Sequence, residues 1–180
     1  MRDIILSNDY AKEIIKLIND PIDDIRKNAY NSMIGLTKLG GGSDDLIDLN
    51  MVEICVDKLK DEKVDSILIL VHQLLKNLLY VERGTPELIK IYEKGIDNLC
   101  AFFDSPNSRL RQWSLDNLAM ASFNQKCKEI ILEKGCVLKI IKFLTDEVLD
   151  VRTTAILALS SLAQLNDGKH QVILKFILDN

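Results

Sequence analysis

Few residues in this sequence are of the types that perform acid–base, nucleophilic or metal chemistry. Two histidines, His72 and His170, have side chains able to move a proton near neutral pH. Four cysteines, Cys55, Cys100, Cys127 and Cys136, can supply thiolates or metal ligands. None stands in a pattern that would put it to that use. No CxxC pair or paired-histidine spacing occurs, nor a Gly-rich phosphate loop, nor a serine nucleophile elbow. Arg26, Arg111 and Arg152 recur with Asp20, Asp24, Asp146 and Asp150 just upstream. Such a series is either a basic ladder for a ligand or a set of guanidinium groups satisfying loop carboxylates and carbonyls. The second is expected, because Leu68 takes the corresponding place in one segment and would interrupt a ladder. The reading is of a chain without catalytic residues, cofactor, metal site or small-molecule substrate.

What positions these residues is a repeat. "RDIILSNDYAKEIIKLINDPIDDIR" (2–26) superposes without gaps on "KEIILEKGCVLKIIKFLTDEVLDVR" (128–152), with identities at Ile4, Ile5, Leu6, Ile14, Ile15, Lys16, Asp20, Asp24 and Arg26. Two more copies lie between, and anchors at Ile25, Ile67, Leu110 and Val151 are 42, 43 and 41 residues apart. Positions 4, 8 and 11 after each anchor are Ala29–Met33–Leu36, Val71–Leu75–Leu78, Ser114–Leu118–Ala121 and Ala155–Leu159–Leu162. This spacing draws one stripe along a helix, and the stripe is expected to be the buried face.

Before each anchor a second apolar helix is predicted: "AKEIIKLI", "MVEICVDKL", "GIDNLCAFF" and "CVLKIIKFL". Short links follow it, in which Pro21 and Pro106 end the helix and Asp or Ser offers acceptors to the helix that comes next. A shorter first helix is read in "SDDLIDLN", "PELIKIYEKG" and "KEIILEKG". Gly95 and Gly135, with Asn50 and either Asn8 or Asp9, are expected to turn the chain through the left-handed conformation. "KLGGGSDDL" (38–46) and "YVERGTPEL" (80–88) read as the loosest joints, plain surface loops. In this register His72 falls with Tyr30, Leu115 and Ile156, an apolar position, so a packed, hydrogen-bonded core histidine is expected. Cys55 and Cys100 stand where other copies have Ile14 or Ile15 and Ile140 or Ile141, as core thiols. His170 is expected to be solvated.

Three helices in about 42 residues is the arithmetic of an armadillo-type solenoid, with two-helix HEAT repeats its near neighbour. "EKGCVLKIIKFLTDEVLDVRTTAILALSSLA" resembles an armadillo repeat over its whole length. The resemblance extends over nearly all 180 residues. It implies an all-α, right-handed α-solenoid: one domain, 1–180, with repeats at about 1–39, 44–80, 86–123 and 127–165 and a trailing helix at 169–180. It also implies that the third helices line a concave groove. Peptide-clamping members of the family carry a Trp and, four residues later, an Asn on each third helix. Here the Trp positions hold Asn31, Gln73, Asp116 and Leu157, and the Asn positions Gly35, Asn77, Met120 and Ser161. Only Asn77 matches, so an extended basic peptide is not the expected ligand. Asn28, Asn31, Gln73, Asn77, Trp113, Asp116 and Met120 are expected to line what groove there is. Trp113 either stands exposed beside Met120 as a binding hot spot or packs on the neighbouring third helix.

The remaining features bound the partner. With 47% hydrophobic and 28% charged residues and a net charge of −4, the chain should fold but has no basic stripe for nucleic acid. The longest uncharged stretch, "TTAILALSSLAQLN", is 14 residues and too polar to span a bilayer, and "MRDIILSNDY" does not read as a signal peptide. An intracellular, cytoplasmic location with reduced thiols is expected. "QVILKFILDN" resembles the first helix of a fifth repeat, which leaves Ile173, Phe176 and Ile177 exposed. Either the chain is a piece of a longer protein or a partner completes the stack.

Finally, "CVDKLKDEKVDSILILVHQLLKNLL", "DSPNSRLRQWSLDNLAMA" and "LTDEVLDVRTTAILALSSLAQLNDGKHQVI" are similar to the small armadillo proteins of ciliary radial spokes. That likeness implies a structural subunit of the axoneme, held by other proteins of a larger complex. The reading is therefore a non-catalytic interaction scaffold with protein partners, and no nucleic acid or membrane. The alternative is a general cytoplasmic or nuclear adaptor that takes a peptide or cargo in its groove.

Overall fold

In the computed structural model, which describes residues 8–90 and 92–163, the regular structure is entirely helical. Helix α1 (Asn8–Lys16) runs into a 3-10 turn (Leu17–Asn19) and is followed by α2 (Asp23–Leu36), α3 (Gly42–Asp48), α4 (Met51–Asp61) and α5 (Asp65–Tyr80). Next come α6 (Gly84–Lys90), α7 (Tyr92–Cys100) with its 3-10 turn (Ala101–Asp104), and α8 (Ser108–Ala121). The last described elements are α9 (Gln125–Glu133), α10 (Cys136–Lys142) with a 3-10 turn (Phe143–Thr145), and α11 (Leu149–Ala163). The predicted trailing helix, with Ile173, Phe176 and Ile177, lies outside the described residues.

The chain forms two compact units, Met1–Asn98 and Leu99–Asn180, the division falling inside α7. In the first unit α2 and α5 make the most extensive helix contact, and α4 packs on α5. In the second, α8 and α11 play the same part, with α10 on α11. All twelve residues of the predicted stripe are buried: Ala29, Met33, Leu36, Val71, Leu75 and Leu78 in one unit, Ser114, Leu118, Ala121, Ala155, Leu159 and Leu162 in the other. Each large aliphatic among them contributes about 1.5–3 kcal/mol by leaving water. Ser114 is no exception to the rule, since its hydroxyl donates to the Leu99 carbonyl at 2.6 Å. Phe103 and Phe143 add an edge-to-face ring contact at 5.1 Å in the second unit.

Several turn expectations need correction. Asn50 and Gly135 do adopt positive φ, 59° and 66°, between a first and a second helix. Gly95 does not: it lies inside α7, buried, where an added Cβ would stand 2.8 Å from the Leu88 side chain. Its role is close packing of α7 on α6. Asn8 and Asp9 are the first residues of α1, not a turn. The two "loose joints" are tight. A Cβ on Gly42 would lie 2.0 Å from the Leu36 carbonyl oxygen, and one on Gly84 would lie 1.7 Å from that of Leu78. These glycines, like the carbonyls they approach, are 42 residues apart, so the repeat turns its corner in the same way twice.

The glycines therefore separate into two kinds. Gly84→Ala is expected to destabilise by about 2 kcal/mol or more, because backbone must move to admit the methyl. Gly35→Ala, on the open side of α2 with nothing within 4 Å of the new Cβ, is expected to stabilise by up to about 1 kcal/mol. Urea denaturation of both variants measures the pair, and equal effects would contradict this assignment.

Candidate interaction surface

The links between second and third helices are built around one side chain each. Asp20 Oδ1 accepts from the Ile22 amide at 2.8 Å, Glu62 Oε1 from Val64 at 3.0 Å, and Asp146 Oδ1 from Val148 at 2.9 Å. In the third repeat Ser105 Oγ does the same for Asn107 at 3.2 Å. The acceptor thus satisfies the amide of the residue that precedes the helix and holds the link open.

The arginines one residue after the anchors join these links. Arg26 donates from Nη1 to the carbonyls of Asp20 and Pro21, 2.9 and 3.4 Å, in its own link. Its Nε and Nη2 then grip Glu62 of the next repeat at 3.0 and 3.3 Å. Arg111 repeats the arrangement on Ser105 and Pro106, at 2.9 and 3.3 Å, and on both oxygens of Asp146 at 2.9 and 3.0 Å. The arginines are structural, as expected; Arg26 does pair with an upstream acid, Asp23, at 2.8 Å, but the buried carboxylate partner of Arg26 and Arg111 belongs to the following repeat. The reason is that the link carboxylate is already oriented by its own amide, while the link's carbonyls take Nη1. Burial raises the pKa of Glu62, but the Val64 and Lys63 amides and Arg26 outweigh it and hold the carboxyl below its usual range. Asp146 is lowered in the same way, burial being overcome by Arg111 and the Val148 amide. Leu68 and Ser105 are the departures from the pattern, one lacking the guanidinium and the other the carboxylate. The shallow cleft around Arg26 and Glu62, about 390 Å³, is lined by these mutually paired groups.

The predicted groove residues lie away from the buried stripe. In the first unit Asn28 and Asn31 are exposed on α2, and Gln73 and Asn77 are half-buried on α5. Asn77, the one match to the peptide-clamping pattern, donates from Nδ2 to Thr37 Oγ1 at 2.8 Å. In the second unit Trp113, Asp116 and Met120 are half-buried on α8. Ser161, at the Asn position of α11, is buried and bonds the Ser122 hydroxyl at 2.6 Å. One residue of this position in each unit, Asn77 and Ser161, therefore bonds to a hydroxyl at the end of the preceding third helix. Ile173, Phe176 and Ile177 lie outside the described residues. Ile156 and Leu157, which the sequence places at the His72 register and at a Trp position but not among the groove-lining residues, are both exposed on α11. Ile156 was expected in the core because Tyr30, His72 and Leu115 share its register. Their burial comes from neighbours, which the register alone does not guarantee.

The candidate chemical groups are core groups. His72 is fully buried, and burial pushes its imidazole down to about 3. Burial also pushes the Cys55 thiol far up and that of Cys127 up to about 11, which withholds the thiolate. Cys100 and Cys136 are free thiols with Sγ atoms 3.0 Å apart. Among the described residues no cluster of three or more His, Cys, Asp or Glu side chains could hold a metal ion, and no helix is long and apolar enough to cross a membrane.

No family model matches the sequence, and no curated protein matches it. Solved structures do. A designed armadillo-repeat protein in complex with the peptide (KR)4 matches with a TM-score of 0.82 at 16% identity, covering 98% of this chain and 79% of the other. An engineered protein matches with a TM-score of 0.81 at 20% identity over 94% of this chain and 67% of its own. A computationally designed armadillo-repeat protein for modular peptide recognition matches with a TM-score of 0.79 at 16% identity, covering 94% and 70%. At such identities the likeness establishes the fold: this chain is an all-α solenoid of the armadillo-repeat type.

Two measurements test the account of these side chains. The folded protein holds His72 neutral while the unfolded chain takes up a proton below about pH 6.5. Stability from this source is complete above pH 7 and falls as the pH drops, by about 2 kcal/mol at pH 5. Glu62 and Asp146, whose folded pKa values are lowered, cost stability only at pH below their ordinary carboxyl values, so denaturation at pH 7 and pH 5 isolates the histidine. His72→Leu should remove the difference, and its persistence would refute the assignment. In the clamp, Arg111→Met leaves the Asp146 carboxylate, 8% exposed, without its cation and is expected to cost about 3–5 kcal/mol. Arg83→Met, at an exposed pair with Asp48, should leave stability essentially unchanged.

Proposed function

We propose that this chain is a non-catalytic scaffold that binds other proteins through the outward surfaces of its third helices. The observation that carries the reading is the armadillo-repeat fold it shares with designed proteins, one made for peptide recognition and one complexed with (KR)4. In support, each unit presents polar or amphipathic side chains beside its buried stripe: Asn31, Gln73 and Asn77 in one, Trp113, Asp116 and Met120 in the other. The ligand differs in kind from a basic peptide held by an asparagine ladder. Asn77 and Ser161 serve inter-helix bonds, which leaves recognition to Trp113, Met120 and the neighbouring polar groups. The domain is read as one run of four repeats over 1–180, with Ile173, Phe176 and Ile177 as a second contact for assembly into a larger complex.

The narrower reading, a structural subunit of an axonemal radial-spoke complex in the cytoplasm, is supported by the sequence likeness in its second, third and fourth repeats. A general adaptor for a peptide or cargo is the alternative, favoured by the side chains of α8.

The test is quantitative capture from a native extract by wild-type and Trp113→Ala/Met120→Ala protein, with the variant's melting checked first. Partners should be retained at least tenfold less by a folded variant. Equal capture of the same proteins would remove the third-helix surface from the proposal. Axonemal proteins among the captured set would favour the subunit reading, and their consistent absence from ciliated material would end it.

A further inference from the structure

Two thiols 36 residues apart in sequence are brought together inside the second unit. Cys100 is the last residue of α7 and Cys136 the first of α10, and their Sγ atoms stand 3.0 Å apart. A disulfide needs about 2.05 Å between its sulfurs, so about 1 Å of approach separates this contact from a bond. The backbone beside both residues is held. The Leu99 carbonyl, next to Cys100, accepts the Ser114 hydroxyl at 2.6 Å, which ties the end of α7 to α8. Cys136 follows Gly135, whose φ of 66° and amide bond to the Leu132 carbonyl at 2.9 Å fix the start of α10. Beyond the thiols, Phe103 and Phe143 meet edge to face at 5.1 Å and join the 3-10 turns that close the same two helices. With their chain segments restrained in this way, the two sulfurs act on each other at a high effective concentration.

Exposure gives the two sulfurs different parts. Cys100 is half-buried, whereas Cys136 is 2% exposed and Cys55 and Cys127 are 0% exposed. A reagent from solvent therefore meets Cys100 before any other cysteine. Cys136 needs no access of its own, because its target is Cys100. That is the division between an attacking and a resolving thiol. Core packing asks for neither property, since a cysteine standing in for an aliphatic needs no second sulfur in contact.

We propose that Cys100 and Cys136 are an oxidative modification site, a dithiol that a low-molecular-weight disulfide such as oxidised glutathione converts to an intramolecular disulfide. In the first step the Cys100 sulfur gives up its proton and attacks one sulfur of the small disulfide. The small S–S bond breaks, a mixed disulfide forms at Cys100, and one small thiol leaves with a proton. In the second step the Cys136 sulfur gives up its proton, bonds to Cys100 Sγ and expels the other half as a second small thiol. Two protein thiols are oxidised and one small disulfide is reduced to two thiols, and a reducing dithiol reverses the sequence. The product fixes the second helix of the third repeat covalently to that of the fourth. The inference does not rest on the proposed function, since it requires no protein partner.

The test treats the purified full chain with oxidised glutathione, alkylates the remaining thiols after unfolding, and maps the peptides by mass. Wild-type protein should yield a peptide pair joined through Cys100 and Cys136, with Cys55 and Cys127 alkylated, and dithiothreitol should return both thiols. Cys136→Ser, which lacks the resolving thiol, should accumulate the glutathione adduct at Cys100. Cys100→Ser should take up about tenfold less glutathione than Cys136→Ser. Circular-dichroism melting confirms that each variant is folded, and the joined peptide of the wild type decides the matter should a serine variant unfold. A wild type that gives no Cys100–Cys136 peptide, or that keeps a stable glutathione adduct on Cys100, overturns the proposal. So does reaction at Cys55 or Cys127 ahead of Cys100, or a folded Cys136→Ser protein that takes up no glutathione.

Discussion

Register between repeats depends on a carboxylate that is fixed before it is gripped. Apolar burial drives the helices together, but it is non-directional and would tolerate a slide of one stripe along another. The link acids remove that freedom. Glu62 and Asp146 are oriented by amides of their own links, and a guanidinium that is itself held by two carbonyls closes on both oxygens. Such a pair is directional in a way that leucine is not. Its members are 7–13% exposed, so displacement by a turn would leave charges buried and unmatched. The apolar stripe supplies most of the stabilisation, and the clamp selects one arrangement among several of similar burial.

The same economy of charge explains the departures. Leu68 replaces the arginine in one repeat and Ser105 replaces the carboxylate in another. Ser105 keeps the part of the role that concerns its own link, accepting the Asn107 amide, and gives up the part that needs charge. A leucine at position 68 is buried without asking for a partner. Neither substitution leaves an ion stranded, which is the error a low-dielectric setting penalises most.

How much of this was legible depended on whether a feature is local to one helix. The stripe at 4, 8 and 11 after each anchor follows from helical periodicity, and its four copies agreed with the observed burial at every position. The left-handed turns at Asn50 and Gly135 were equally legible, since residue type and position between helices sufficed. Gly95 was not, because the sequence signal is the same for a glycine that turns and one that lets two helices touch. Gly42 and Gly84 misled for the opposite reason: consecutive or loop glycines suggest freedom, whereas here a carbonyl of the preceding helix fills the space of the missing side chain. The arginines were readable as structural, but their partners were not. Sequence proximity pointed to the upstream acids, which holds for Arg26 with the exposed Asp23, but the buried pairing runs 35 or 36 residues downstream. Ile156 marks the limit of register as a guide to burial, for a position is buried only when a neighbour covers it.

The candidate surface shows how the same helical register can carry different side chains and put them to different structural use. At the position where peptide-clamping relatives of this fold are expected to offer an asparagine, the two units turn the side chain to the structure's own use. Asn77 reaches Thr37 and Ser161 reaches Ser122, residues that occupy one and the same register on the preceding third helices. A hydrogen bond made between helices fixes their spacing and turns the side chain toward the neighbouring helix. The recognition proposed above would use something unlike a ladder: a half-buried tryptophan, a methionine and an acid on α8, and scattered amides on α2 and α5. Amphipathic side chains of this sort read shape and apolar area more than backbone periodicity. On the proposed reading, a partner suited to them would present a folded, partly apolar face, and the regular spacing of this chain would hold that face rigidly rather than count residues along an extended peptide.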